Sequence, residues 1–186
     1  MHKEILIAGF GGQGVLFAGQ VIAYAAMDTG KEVTWIPSYG PEMRGGTANC
    51  TVVISDDEIG SPLVKNPPAV IALNLPSFDK YEKLVKSSGV LIVNQSMVDR
   101  GASRTDITTI FLPGNEIAEE IGDRRLLNMV MLGALLTCLP ELSIQDIETA
   151  LNAHLPERHK KMLPQNRTAL QHGYDFALKE LDKQKK

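Results

Sequence analysis

"EILIAGFGGQGVLFAGQVIAYAAMDTG" (residues 4–30) decides the fold. Its first six residues are a short aliphatic run of the kind that a parallel sheet buries on both faces. From Val15 onward, Val15, Leu16, Ala18, Val21, Ile22, Ala25 and Ala26 recur at helical spacing, and Gly30 supplies a C-terminal stop. Between strand and helix stand Gly9, Gly11, Gly12 and Gly14. Gly9, Gly11 and Gly14 satisfy G-x-G-x-x-G in the setting the pattern requires, after a strand and before a helix. Missing side chains let backbone N–H groups approach a phosphate, and the helix N-terminus adds partial positive charge. The same glycines also suit a tight turn without a ligand, serving only positive φ and close helix–sheet packing.

Outward from that unit, strand-like and helix-like segments alternate. EVTWIPS (32–38) predicts a second strand, and YGPEMRGG (39–46) is too rich in Gly and Pro to be other than a loop. TANCTVVIS (47–55), AVIALN (69–74), VLIVNQS (90–96) and TTIFLPG (108–114) predict four more strands. Helices are predicted within SFDKYEKLVKSSG (77–89), capped by Ser77 and ending before Gly89, over 126–139, over SIQDIETALNAHL (143–155) with Ser143 and Asp146 as a capping-box variant, and over 165–181. ERHKKMLPQN (157–166) reads as a solvated connection. This order implies an α/β fold: one three-layer α/β/α domain over residues 1–186, around a mostly parallel, Rossmann-like sheet. The charged end, KELDKQKK (179–186), is expected to fray.

Composition narrows the function classes. The chain has 186 residues, 44% of them hydrophobic, enough to bury a substantial core. A formal charge of −3 supplies no electrostatic case for binding nucleic acid or an anionic membrane. Cys50 and Cys138 lie far apart and form no CxxC pair, so the chain alone offers neither a zinc site nor an iron–sulfur cluster, and the expected setting is reducing cytoplasm. No signal peptide is expected, and the most apolar run, 126–139, is too short to span a bilayer and contains Asn128.

A dinucleotide reading of the glycine turn requires an acidic residue about 20 residues on, at the end of the second strand. That position reads WIPSYG, while Glu32 stands at the opposite end of the strand. No Gly-Lys-Ser/Thr follows the turn, so a P-loop is excluded as well. SYGPEMRGG (38–46) leaves the carboxyl end of the second strand and brings Arg44 near the turn, suited to bidentate contact with a phosphate or carboxylate. An ion pair with Glu42 or a partner chain would use Arg44 equally well.

Together the two loops are specific. GFGGQGVLFAGQVIAYAA followed by YGPEMRGG, then NPPAVIALN, SGVLIVNQS, RRLLNMVMLGAL and NRTALQHGYDFA, resembles the gamma subunit or gamma domain of the 2-oxoacid:ferredoxin oxidoreductases over nearly the whole chain. The resemblance implies a role in an enzyme of the pyruvate, 2-oxoglutarate or ketoisovalerate type that converts a 2-oxoacid, CoA and oxidised ferredoxin into acyl-CoA, carbon dioxide and reduced ferredoxin. It implies CoA binding here, thiamine diphosphate and iron–sulfur clusters on partner subunits, and packing against thiamine-bearing alpha and beta subunits and a ferredoxin-like delta subunit. On that basis the site residues are Gly9, Gly11, Gly12, Gln13, Gly14, Tyr39, Arg44, Gly45 and Gly46. Gln13 would bind the ligand or cap the helix, and Tyr39 would stack on a ligand base or pack at an interface.

No nucleophile, base and orienting group recur together, so no catalytic residue is assigned to this chain. His2, His154, His159 and His172 have no metal-ligand spacing and read as solvated. Asn128 needs a hydrogen-bond partner, from a neighbouring loop rather than a ligand. Two other functions stand beside the leading one: a purely structural subunit with an empty glycine turn, and an independent nucleotide-binding dehydrogenase.

Overall fold

The computed structural model describes residues 1–39 and 47–184, Tyr39 by its backbone alone. In chain order the elements are β1 (His2–Phe10), α1 (Val15–Asp28), β2 (Glu32–Tyr39), β3 (Thr47–Ser55), β4 (Ala69–Ala72), α2 (Leu75–Tyr81), β5 (Val90–Asn94), β6 (Thr108–Leu112), α3 (Gly114–Ile121), α4 (Leu127–Leu136), α5 (Ile144–His154), α6 (Glu157–Lys160) and α7 (Leu163–Gln184). The strands form one sheet in the order β2-β3-β1-β4-β5-β6. β1, β4, β5 and β6 are parallel neighbours, whereas β3 runs antiparallel to both β1 and β2. The α/β class and mostly parallel sheet expected from the sequence are present.

Alternation along the strands builds two unequal cores. Ile5, Ile7, Ile71, Ile92 and Ile110 face one side, where α1, α4, α5 and α7 bury their apolar stripes. Leu6, Ala8, Val70, Leu91 and Val93 face the other, where α2 contributes Phe78 and Tyr81. α4 is buried on every side, which explains why LNMVMLGALL shows no amphipathic period. Its Gly133 and α7's Gly173 let the two backbones touch: a Cβ on Gly133 would lie 2.0 Å from the Leu170 carbonyl oxygen, and one on Gly173 would lie 1.9 Å from that of Val130.

Several local readings are corrected. The cap of α2 is Asn74, whose Oδ1 accepts from the Ser77 N–H at 2.9 Å, so Ser77 is the capped residue rather than the cap. α3 is an additional helix, beginning at the glycine taken above as the end of a strand segment. The helix read over 126–139 starts after a 3₁₀ turn at Arg124–Leu126 and ends at Leu136. The connection read over 157–166 contains α6 and the first turn of α7. α7 continues through Gln184, whose Nε2 donates to the Thr109 carbonyl at 3.0 Å, so residues 179–184 are helical. The Ser143–Asp146 capping box forms as expected.

Candidate functional site

The glycine turn sits at the carboxyl end of β1, where open α/β sheets hold ligands. Gly12 and Gly14 take φ of 98° and 76°, in the left-handed region that a side chain strains. Gly14 is also the N-cap of α1, with no side chain capping the helix and no acidic residue in its first turn. The Gln13 N–H donates to the Phe10 carbonyl at 3.2 Å, whereas among the described residues the N–H groups of Gly11, Gly12 and Gly14 have no acceptor. The helix end therefore presents uncompensated positive partial charge and available donors, the arrangement that suits an anion.

The turn is braced from behind. Gln13 Oε1 accepts from the Phe10 N–H at 2.7 Å and from Asn74 Nδ2 at 3.2 Å, and Gln13 Nε2 donates to the Leu73 carbonyl at 3.3 Å. Gln13 thus uses its amide to tie β1 to the end of β4 and does not cap the helix. A Cβ on Gly9 would lie 2.7 Å from that Gln13 oxygen, so Gly9 is required for packing. Asn128, at the start of α4, donates from Nδ2 to the Gly14 carbonyl at 3.2 Å and accepts the Met129 N–H at 3.0 Å. The neighbouring loop expected to satisfy it is the glycine turn itself.

The row of carboxamides continues along the strand ends. Asn94, fully buried at the end of β5, donates from Nδ2 to the Leu73 carbonyl at 3.1 Å and to Asn115 Oδ1 at 3.2 Å. Asn74 and Asn94 were not among the expected site residues, although AVIALN and VLIVN each close an aliphatic strand with asparagine.

The β2–β3 pairing brings the residues flanking the second loop to the edge that carries the turn. Tyr39 pairs with Ala48, which pairs with Gly9, and Thr47 pairs with Phe10. The chain entering and leaving 40–46 is therefore anchored at the same edge as the glycine turn. Arg44, Gly45 and Gly46, expected there, lie outside the described residues, as does the Tyr39 side chain. Because β3 intervenes, β2 lies about two strand spacings, roughly 10 Å, from β1. A ribose acid at the end of β2 would stand too far away, a second argument against the dinucleotide reading.

Cys50 packs under the first turns of α1, its thiol donating to the Val15 carbonyl at 3.4 Å, and burial pushes its pKa up to about 12. It is therefore a packing residue without thiolate chemistry at neutral pH. Among the described residues no three His, Cys, Asp or Glu side chains converge as a metal site, and no helix is long and apolar enough to cross a membrane. His154, read above as solvated, is exposed, and it also stacks on Tyr24 and lies 3.1 Å from both Asp28 oxygens.

Residues 4–176 match the family model described as pyruvate ferredoxin/flavodoxin oxidoreductase. The chain belongs to that family. It is 38% identical to ketoisovalerate oxidoreductase subunit VorA of Methanothermobacter marburgensis over 96% of its own length, but spans only 37% of that relative. It is also 38% identical to 2-oxoglutarate synthase subunit KorC of Methanocaldococcus jannaschii, with 95% of each chain covered. Among solved structures, the gamma subunit of a keto/oxoacid ferredoxin oxidoreductase from Geobacter sulfurreducens superposes with a TM-score of 0.80 at 32% identity, covering 95% of this chain and 99% of that one. The same fold recurs in 2-oxoglutarate:ferredoxin oxidoreductase from Magnetococcus marinus, with a TM-score of 0.85 at 23% identity, covering 96% of this chain and 31% of that one.

Proposed function

We propose that this chain is the gamma subunit, or gamma portion, of a 2-oxoacid:ferredoxin oxidoreductase and that it contributes CoA binding and subunit assembly. The observation that carries the reading is the glycine turn: N–H groups on Gly11, Gly12 and Gly14 without an acceptor among the described residues, at an uncapped helix end with no acidic neighbour in its first turn. CoA brings a diphosphate and a ribose phosphate, which need backbone donors and positive charge but no carboxylate. In this reading Gly11, Gly12 and Gly14 present N–H groups to a CoA phosphate, Arg44 supplies the cation, and Gly45 and Gly46 allow close approach. Gly9 and Gln13 shape the turn from behind, and Tyr39 stacks on the CoA base or packs at a subunit interface. The thiamine diphosphate and iron–sulfur chemistry belongs to partner alpha, beta and delta subunits, and ferredoxin takes the electrons.

The supporting relatives are named for ketoisovalerate and 2-oxoglutarate enzymes, so a short branched or dicarboxylic 2-oxoacid is the proposed substrate of the complex, in the cytoplasm. The test is steady-state kinetics on the assembled enzyme, purified through this chain, and on its Arg44→Ala variant. The CoA KM is expected to rise about tenfold or more, a loss of about 1.4 kcal/mol, with the 2-oxoacid KM unchanged. An unchanged CoA KM would remove Arg44 from the site.

A further inference from the structure

Behind the glycine turn, α1, α5 and the start of α7 enclose a cleft of about 530 Å³, within the range of roughly 300–1,000 Å³ common for small-molecule sites. Phe17, Val21 and Tyr24 line it from one face of α1, at helical i, i+4 and i+7 positions. Tyr24 stacks on His154 at a centroid distance of 4.1 Å and an interplanar angle of 7°, so this wall is already an aromatic platform. Arg125, its side chain largely exposed and paired with Asp123, supplies a cation at the rim.

Two buried asparagines also line the cleft, and they differ. Asn128 uses both ends of its carboxamide, on Gly14 and Met129, and forms the wall between cleft and turn. Asn166, in the first turn of α7, is only 7% exposed. Its N–H donates to the Met162 carbonyl at 2.9 Å, and its carboxamide, not sealed from solvent, opens on the cleft. A guest that covered it without a hydrogen bond would lose about 1–3 kcal/mol. Its place on the cleft lining points to a guest that hydrogen-bonds there.

We propose that this cleft binds a nucleoside monophosphate. The base lies along the aromatic wall, its donor–acceptor edge pairs with the Asn166 carboxamide, and its phosphate turns towards Arg125. A hydrocarbon guest would strand Asn166, and a free phosphate would leave the apolar wall uncovered. The site is separate from the glycine turn and does not rest on the CoA reading.

The test is saturation-transfer NMR and calorimetry on the full chain with AMP, UMP and inorganic phosphate as probes. AMP or UMP is expected to bind and phosphate alone is not, the two nucleotides distinguishing a purine from a pyrimidine guest. Asn166→Leu weakens the binding about tenfold or more, His154→Ala weakens it too, and Arg44→Ala leaves it intact. Absence of binding by both nucleotides at millimolar concentration would overturn the proposal, as would affinity unchanged in both the Asn166 and His154 variants.

Discussion

Gly14 is held by two independent demands, and they can be separated by mutation. Its φ of 76° would cost an alanine about 1–2 kcal/mol through left-handed strain. An added Cβ would also lie 2.4 Å from Nδ2 of the buried Asn128 side chain, where crowding costs roughly another 1–3 kcal/mol. Gly12 shares the positive φ, at 98°, but a methyl group there would meet nothing within 4 Å. Gly14→Ala should therefore lose about 2–5 kcal/mol in urea unfolding and Gly12→Ala only about 1–2. Removing the Asn128 side chain in a Gly14→Ala background should destabilise by less than the sum of the single changes, because the clash is removed with it. At this scale the sequence was legible where backbone conformation alone decides: the glycines announce a turn. Gln13 was not, because its role depends on Leu73 and Asn74, some 60 residues away in the chain.

At the scale of elements, the contact between α4 and α7 reverses a rule of local propensity. Alanine in place of a mid-helix glycine ordinarily gains up to about 1 kcal/mol. Here the carbonyls of Leu170 and Val130 occupy the space that a methyl group would take. Gly133→Ala and Gly173→Ala are each expected to lose about 2–3 kcal/mol in chemical denaturation, as overpacking does. A gain in stability from either would mean the helices can separate at little cost. The strands were legible as elements because short aliphatic runs between Gly, Pro and Asp leave few other readings. Their order was not: nothing local tells β3 to enter antiparallel between β2 and β1, since that choice is made by pairing across the sheet. α3 escaped notice because it opens with Gly-Asn directly after Pro113, a combination that locally reads as a turn.

Across the whole molecule, the thinly covered face of the sheet is held by charge as well as by packing. Burial of Glu82 favours its neutral form, but N–H and hydroxyl donors from Ser103, the Arg100 guanidinium and the Arg104 N–H outweigh it and hold the carboxyl below its usual range. Arg104 in turn holds Asp106 down to about 2. Both acids are depressed, so their contribution is complete above the ordinary carboxylate range of about 4 and is lost as pH falls below it, for Asp106 towards 2. Thermal melts from pH 7 to pH 2 should show the melting temperature falling through that window. Arg104→Met should lower the melting temperature at pH 7 and flatten the fall. An acid limb of equal steepness in the variant would assign the pH dependence to other carboxylates.

The glycine contact between α4 and α7 has a bearing on selectivity. Asn128 rides on one of these helices and Asn166 on the other, and where two backbones meet carbonyl against α-carbon neither can slide or roll without collision. The spacing between the two carboxamides is therefore a fixed gauge. On that side of the cleft a guest meets a spacing that its own arrival does not change.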